Sequence, residues 1–267
     1  MSDKTISDKQ HRVAKFYDFL KYGLETSDPF IGNYLLNTVG LEGDDIANQR
    51  VLEVGIGRGN WSMALAKNAR YYAGADISMD SVRHVRDKFS PNVVNADITA
   101  LPFPDAYFDR VFGIGVLPAV ERHREGFEEL VRVLKPGGRL HLFCYGRVFP
   151  RNLLRDAVYR AVKNKPLDMQ RKVCYQFAKL GKLPIPEWLL FGSELEFVLL
   201  DWYLVPIQNR HTYSQIERWM RGGGVEPVRF TPYPHHRSRF LLHRLAARVP
   251  PFSSILSPDF FAEGVRV

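Results

Sequence analysis

The chain has 267 residues, 45% of them hydrophobic and 25% charged, with a formal net charge of +8. This is the composition of an ordinary soluble globular protein with room for one large α/β domain, or one domain plus a sizeable insertion. No stretch approaches the roughly 20 apolar residues of a bilayer span, and Met1-Ser2-Asp3-Lys4 leads into polar residues without the apolar run of a secretory signal, so a cytoplasmic location is expected.

Residues 5–40 read as helical. Val13, Phe16, Tyr17, Leu20 and Leu24 recur near the 3.6-residue period within a helix over His11–Leu24. A second helix is expected from Pro29 to Val39, with Ser27-Asp28 as cap candidates and Gly40 as its stop. The period then changes. Arg50–Val54 is a short apolar run ending at Gly55 and reads as a buried strand. A helix over Asn60–Asn68 follows, then a strand over Tyr71–Asp76 and a Ser78-capped helix to Phe89. Pro91–Asp97 is a third strand and Phe108–Gly115 a fourth. A helix over Glu125–Leu134 is stopped by Lys135-Pro136-Gly137-Gly138, and Arg139–Tyr145 is a fifth strand. Cys144 within it reads as a small buried hydrophobe, and neither it nor Cys174 has zinc-ligand spacing.

The alternation breaks at 147. Between 147 and 182 stand ten cationic side chains against Asp156 and Asp168. Such a segment is a solvated helix face, or an electrostatic guide for an acidic substrate or surface. Residues 193–211 are mixed. A helix over Thr212–Met220, stopped by Gly222-Gly223-Gly224, resumes the pattern, and Val225–Tyr233 with Phe240–Leu245 can close the sheet as an antiparallel pair. His235, His236 and His243 lack neighbouring acidic or cysteine ligands, so no metal is expected there; the arginines around them, Arg237, Arg239, Arg244 and Arg248, read as a basic edge.

Strands alternating with helices mean βαβ units and a parallel sheet, with any ligand at the carboxyl ends of the strands. The expected fold is α/β: a Rossmann-like, seven-stranded, mostly parallel sheet with helices on both faces. An N-terminal helical lid (1–48) precedes the cofactor-binding core (49–146). A largely helical cap insertion (147–211) sets substrate specificity, and the last helix and closing strands (212–267) complete the core.

The central motif is Val51-Leu52-Glu53-Val54-Gly55-Ile56-Gly57-Arg58-Gly59-Asn60-Trp61. Glycines at alternating positions after a strand allow a tight turn and close approach to a ligand, and the following helix offers free amides. The spacing is not the G-x-G-x-x-G of a dinucleotide site. Asp76 ends the second strand, where a carboxylate can accept both ribose hydroxyls of an adenosine. Asp97 ends the third, beside the same crevice, where its side chain and the Ile98 amide can read an adenine edge. Two acids there suit a cofactor without a pyrophosphate.

These motifs, with Gly74-Ala75-Asp76-Ile77-Ser78, Asn95–Phe103 and Glu129–Gly138, resemble the class I S-adenosylmethionine-dependent methyltransferases over residues 51–139, in particular the small-molecule branch related to ubiquinone and menaquinone methylases. The resemblance implies S-adenosyl-L-methionine as cofactor and S-adenosyl-L-homocysteine as product. It implies that Glu53 and the loop Gly55, Gly57, Gly59 hold the methionine moiety. Asp76 would bind the ribose, Ile77 would lie against the adenine, and Asp97 and Ile98 would bind it. Gly113, Ile114 and Gly115 would wall the methionine part, and Tyr17 would close over the cofactor. Many relatives carry histidines after the fourth strand where this chain has Val116-Leu117-Pro118-Ala119, so no catalytic role carries over to that position.

The sulfonium methyl is already activated, so alignment of the acceptor is the main task. A base is needed only for a protonated acceptor. His211, Tyr203 and Tyr145 are the catalytic candidates: an imidazole of suitable ordinary pKa, an aromatic pocket wall, and a tyrosine at the mouth of the fifth strand. The expected acceptor is a small molecule methylated on oxygen, nitrogen or carbon, as in specialised metabolism, and the basic stretch favours an anionic one. An RNA or protein methyltransferase and a non-catalytic S-adenosylmethionine-binding protein are the competing readings. Nucleic acid is not the expected partner, because no appended binding module is visible; a homo-oligomer is compatible with the sequence.

Overall fold

The structure, a computed structural model, describes residues 8–19, 41, 43–147, 151–170, 172–173, 204–232 and 259–267. The elements follow in chain order: α1 (Asp8–Phe19), β1 (Arg50–Val54), α2 (Asn60–Asn68), β2 (Tyr71–Asp76), α3 (Met79–Lys88), β3 (Val93–Asn95), β4 (Phe108–Ile114), α4 (His123–Val133), β5 (Leu134–Cys144), α5 (Arg151–Val162), α6 (Tyr213–Gly222), β6 (Val225–Pro232) and β7 (Phe260–Arg266). The strands form one seven-stranded sheet in the order β3-β2-β1-β4-β5-β7-β6. Strands β1 to β5 pair in parallel, and β7 runs antiparallel to both β5 and β6. The direction of winding reverses between β1 and β4, which opens a crevice at their carboxyl ends.

Apolar runs buried on both faces make the central strands, as a sheet covered by helices on both sides requires. On one face Phe127, Leu130, Ile216 and Met220 of α4 and α6 pack against β4, β5 and β7. On the other, Trp61, Leu65, Val82 and Val85 of α2 and α3 pack against Val51, Phe112 and Phe261. A third cluster stands apart from the sheet. It joins Val13 and Phe16 of α1 to Val158 and Val162 of α5, Leu204, Val205 and Ala119.

The caps follow the sequence. Ser78 accepts from the Ser81 amide at 3.2 Å, and Thr212 from the Gln215 amide at 3.2 Å. The third strand is shorter than the apolar run because Asp97 turns away from the ladder. Its carboxylate accepts from the Thr99 amide at 2.8 Å and the Thr99 hydroxyl at 2.9 Å, starting a 3-10 turn over Ile98–Ala100. Lys135-Pro136-Gly137-Gly138 does not separate α4 from a strand but lies inside β5. The register jumps there, with Phe108 opposite Leu134 and Arg110 opposite Arg139. Asp109, between them, accepts from Lys135 Nζ at 2.5 Å and from the Arg50 amide at 2.7 Å, which ties this irregularity to β1.

The closing pair differs from expectation. The antiparallel partner of β6 is β7, at Phe260–Arg266; Phe240–Leu245 lies outside the described residues. Strand β7 sits between two others, so Phe260–Gly264 are all buried and the alternation that marks a half-exposed strand is missing. The second predicted helix, Pro29–Val39, and Cys174 also lie outside the described residues, whereas Cys144 is fully buried as expected. A Cβ at Gly264 would lie 2.5 Å from Val225 Cγ1 and 3.0 Å from the Glu226 carbonyl oxygen. Gly264→Ala is therefore expected to destabilise the fold by about 1–3 kcal/mol through overpacking, read as a lower urea midpoint at unchanged slope; an unchanged midpoint would show that β6 and β7 can move apart freely.

Candidate active site

A cavity of about 290 Å³ opens in the crevice, close to the lower end of ordinary small-ligand pockets, roughly 300 Å³. Its floor is the end of β1, the loop after it and the ends of β2, β4 and β5; its roof is Gln10, Val13 and Tyr17 of α1. The loop turns through left-handed glycines at 55, 57 and 59. Gly55 is required twice over, because a Cβ there would also stand 2.8 Å from that of Val116. Gly59 precedes α2 without any side-chain cap, so first-turn amides of α2 are donors for an incoming carboxylate.

Asp76 ties the loop to β2. One carboxylate oxygen accepts from the Gly57 amide at 2.9 Å and the other from the Ser78 amide at 2.8 Å. The carboxylate also lines the cavity, and as an acceptor-only group it suits hydroxyl donors such as those of a ribose. Ile77, Ala96 and Ile98 continue the wall with apolar side chains.

Glu53 is buried at the base of the cavity. The Ser62 hydroxyl at 2.6 Å and the Tyr72 hydroxyl at 2.7 Å both donate to Oε2, so Oε1 keeps its acceptor positions. Burial dominates over these two bonds and raises the Glu53 pKa to about 8. A cation beside Oε1, such as the ammonium of a methionine, would favour the ionised form.

The predicted residues therefore divide. Tyr17, Glu53, Gly55, Gly57, Asp76, Ile77, Ile98, Ile114, Gly115 and Tyr145 line one cavity. Gly59 shapes the loop beneath it. Asp97 faces Thr99, and its neighbours Ala96 and Ile98 face the cavity. Gly113 points to the other side of the sheet, where a Cβ would meet Leu130 at 2.9 Å and Leu142 at 3.1 Å. Tyr203, His235, His236 and His243 lie outside the described residues. Among the described residues no cluster of His, Cys, Asp or Glu could hold a metal ion.

His211 is not among the residues that line the cavity. Its backbone joins the end of β5, with its amide donating to the Tyr145 carbonyl at 2.8 Å. Its ring is fully buried, edge-on to His123 and Trp219, with both nitrogens lacking a hydrogen-bond partner. Burial, then the nearby His123 and Arg147, lower its pKa to about 3. Such an imidazole is a packing group and a poor proton acceptor near neutrality.

Sequence reasoning missed three side chains that position this cavity. Gln10 bridges the roof to the segment after β4, accepting from the Glu121 amide at 3.0 Å and donating to the Ala119 carbonyl at 3.4 Å. Asn209 holds the same turn from outside, through the Val120 carbonyl at 2.5 Å and its own amide on the Pro118 carbonyl at 2.7 Å. Trp61, the first large residue of α2, lines the wall. Trp61 stands in the central motif and Asn209 in the segment before the last helix, but the sequence assigns none of the three a role; their places in the fold reveal it.

Glu53 and His211 titrate in opposite windows. The folded state holds the Glu53 proton more tightly than the unfolded chain, so this group costs stability as pH rises from about 4.5 to about 8. The folded state keeps His211 neutral, so stability is lost as pH falls from about 6.5 toward about 3. Glu53→Gln is expected to flatten the alkaline side of the Tm–pH curve, and His211→Phe the acid side. If His211 were instead the general base, His211→Phe would abolish turnover; we expect turnover near neutral pH to survive it.

Comparison with known proteins agrees with this geometry. Residues 52–142 match the methyltransferase domain family. A demethylmenaquinone methyltransferase of Clavibacter sepedonicus is 39% identical over 100 residues, covering 36% of this chain and 40% of that protein. A fatty-acid O-methyltransferase of Mycolicibacterium smegmatis is 32% identical over 180 residues, covering 60% and 64%. The chain thus spans less than two thirds of the length of either relative. The fold is shared with the 1,6-didemethyltoxoflavin-N1-methyltransferase of Burkholderia thailandensis, crystallised with S-adenosylhomocysteine, at a TM-score of 0.53 and 11% identity over 100% of this chain and 93% of that one. The chain thus carries an S-adenosylmethionine-dependent methyltransferase domain, and the residues that match it include the glycine turn, Glu53 and Asp76 of the crevice between β1 and β4.

Proposed function

We propose that the protein transfers the methyl group of S-adenosylmethionine to a small lipophilic acceptor held beneath α1. The carrying observation is the division of the cavity. One end offers Glu53, the glycine turn and Asp76. The other is walled by Val13, Ala119, Val120 and Phe143, with the Tyr145 ring meeting Phe143 edge-on at 5.7 Å. Apolar walls with few polar groups select acceptors by burial and orient them through those few groups.

The finer reading, an anionic acceptor drawn in by the basic stretch, finds less support than a lipophilic acceptor whose charge, if any, is at its reacting end. Arg58 is the cation among the described lining residues, and it belongs to the cofactor loop. Two arginines near the basic stretch are engaged within the fold. Arg155 donates to the Val205 carbonyl at 2.6 Å, and Arg210 forks onto Asp156 at 2.5 and 3.0 Å. The cap role of the insertion rests on α5 and residues 204–207, which pack with α1 over Ala119.

When bound, the cofactor supplies an electrophilic methyl group. The chain's part is to hold the amino-acid tail at Glu53 and α2, fix the ribose at Asp76, exclude water with α1 and present the acceptor in line. Tyr145 lines the cavity, and in this reading its side chain orients the acceptor. Alignment alone can supply several kcal/mol of barrier reduction, and a carboxylate acceptor would need no base.

Three measurements test this. Asp76→Asn should weaken uptake of S-adenosylhomocysteine about tenfold or more by calorimetry, since it removes the charge from a hydrogen-bonded contact. Formation of S-adenosylhomocysteine should appear with quinol-type or long-chain carboxylic acceptors. Tyr145→Phe should raise the acceptor KM or lower kcat without changing cofactor affinity. Tight cofactor uptake with no product across both acceptor classes would point to a non-catalytic binding protein instead.

A further inference from the structure

The outer surface of the roof carries features that methyl transfer does not use. Helix α5 buries Val158 and Val162 against α1 and Arg155 against the Val205 carbonyl. Its opposite face turns Leu153, Ala157, Arg160 and Ala161 outward at spacings of three and four residues, one stripe of the helix. Leu153 is 51% exposed. The chain continues through exposed Lys163, Lys165 and Lys172, with Met169 48% exposed between them and Asp168 as the acid in this run. Cations flanking exposed large apolar side chains are the pattern of a helix that lies in a membrane interface.

We propose that this face, residues 153–172, docks the protein on an anionic lipid bilayer. Basic residues add affinity for the charged headgroups, and Leu153 and Met169 leave water for the boundary between headgroups and acyl chains. A nucleic-acid backbone would satisfy the cations but leave Leu153 and Met169 without a role. The placement also gives docking a purpose. Val158 and Val162 on the inner side of α5 join Val13 and Ala119 in one cluster, and Val13 and Ala119 line the cavity. Bilayer and cavity thus lie on two sides of one helical layer, which suits delivery of a lipophilic acceptor from the membrane. The delivery role rests on the proposed acceptor class; the docking does not. No helix among the described residues is long and apolar enough to span a membrane, and the docking proposed here is to the bilayer surface.

The test is co-sedimentation of the full chain with vesicles of phosphatidylcholine alone or mixed equally with phosphatidylglycerol. Binding is expected to the mixed vesicles and not to the neutral ones. The double variant Lys163→Glu/Lys165→Glu should weaken partitioning roughly tenfold or more, since each cation near an anionic surface contributes several-fold. Leu153→Asn/Met169→Asn should weaken it too, with cofactor uptake unchanged in both variants as the check on folding. Absence of phosphatidylglycerol-dependent binding overturns the proposal. So does binding that survives the Leu153/Met169 change and is matched by duplex RNA, which would assign the face to nucleic acid. Methylation of a detergent-dispersed acceptor reports separately on catalysis, so loss of docking with turnover intact leaves the methyl-transfer reading standing.

Discussion

The site depends on the close passage of Gly55 beneath Val116. The carboxyl ends of β1 and β4 diverge at the reversal in strand order, and the chain leaving β1 must turn into the gap at once. No side chain fits there: a Cβ at 55 would stand 2.8 Å from that of Val116, and the backbone at 55 is left-handed. The turn then delivers the Gly57 amide to Asp76 at 2.9 Å. The ends of three strands, β1, β2 and β4, are thereby fixed against one another through backbone and one carboxylate. The cavity is largely pre-formed by these contacts, which lowers the ordering a ligand must impose.

Glu53 shows the opposite economy. A carboxylate fully inside the protein, with a pKa raised to about 8, makes the ligand-free fold less stable at neutral pH than a neutral residue would. Ser62 and Tyr72 hold it in one orientation but offset the burial only in part. Such a group makes sense where a cationic ligand completes it. The same burial that raises its pKa strengthens its attraction to an ammonium, because the field between them is weakly screened. An apolar residue at 53 would suit the empty cavity better and the occupied one worse.

Much of this was legible in the sequence, and the reasons are physical. Strands β1, β2 and β4 are apolar runs bounded by turn residues, and they appear within a residue or so of their predicted limits. The glycine turn and Asp76 were legible because each answers a backbone or hydrogen-bonding demand that few residue types meet. Strand β7 was not, since burial on both faces erases alternation and Glu263 and Gly264 interrupt its apolar run. Gly113 was misplaced onto the cavity because strand alternation, not motif membership, decides which face a residue serves. His211 had the right ordinary pKa and the right neighbourhood in the chain, yet its ring turns into an aromatic cluster with His123 and Trp219. Position along a chain fixes where a backbone goes but not which way a side chain leaves it.

The basic stretch after β5 shows how composition misleads until burial is known. Its excess charge reads most simply as an attraction for an acidic substrate. Yet Arg155 turns inward to the Val205 carbonyl, and Arg210 of the following segment closes on Asp156, so this pair joins α5 to residues 204–210. Partly shielded contacts of this kind stabilise modestly, but they fix a geometry. The geometry they fix is the roof: α5 presses on α1, and α1 presses on the turn after β4 through Gln10. Arg160 of α5 and Lys163, Lys165 and Lys172 after it are all exposed. A substrate enclosed beneath the roof would meet none of these four directly, whereas a charged surface outside it would meet them together with Leu153 and Met169. On the proposed reading, the same segment would separate two kinds of recognition: burial would select the acceptor on its inner side, and charge the surroundings on its outer side.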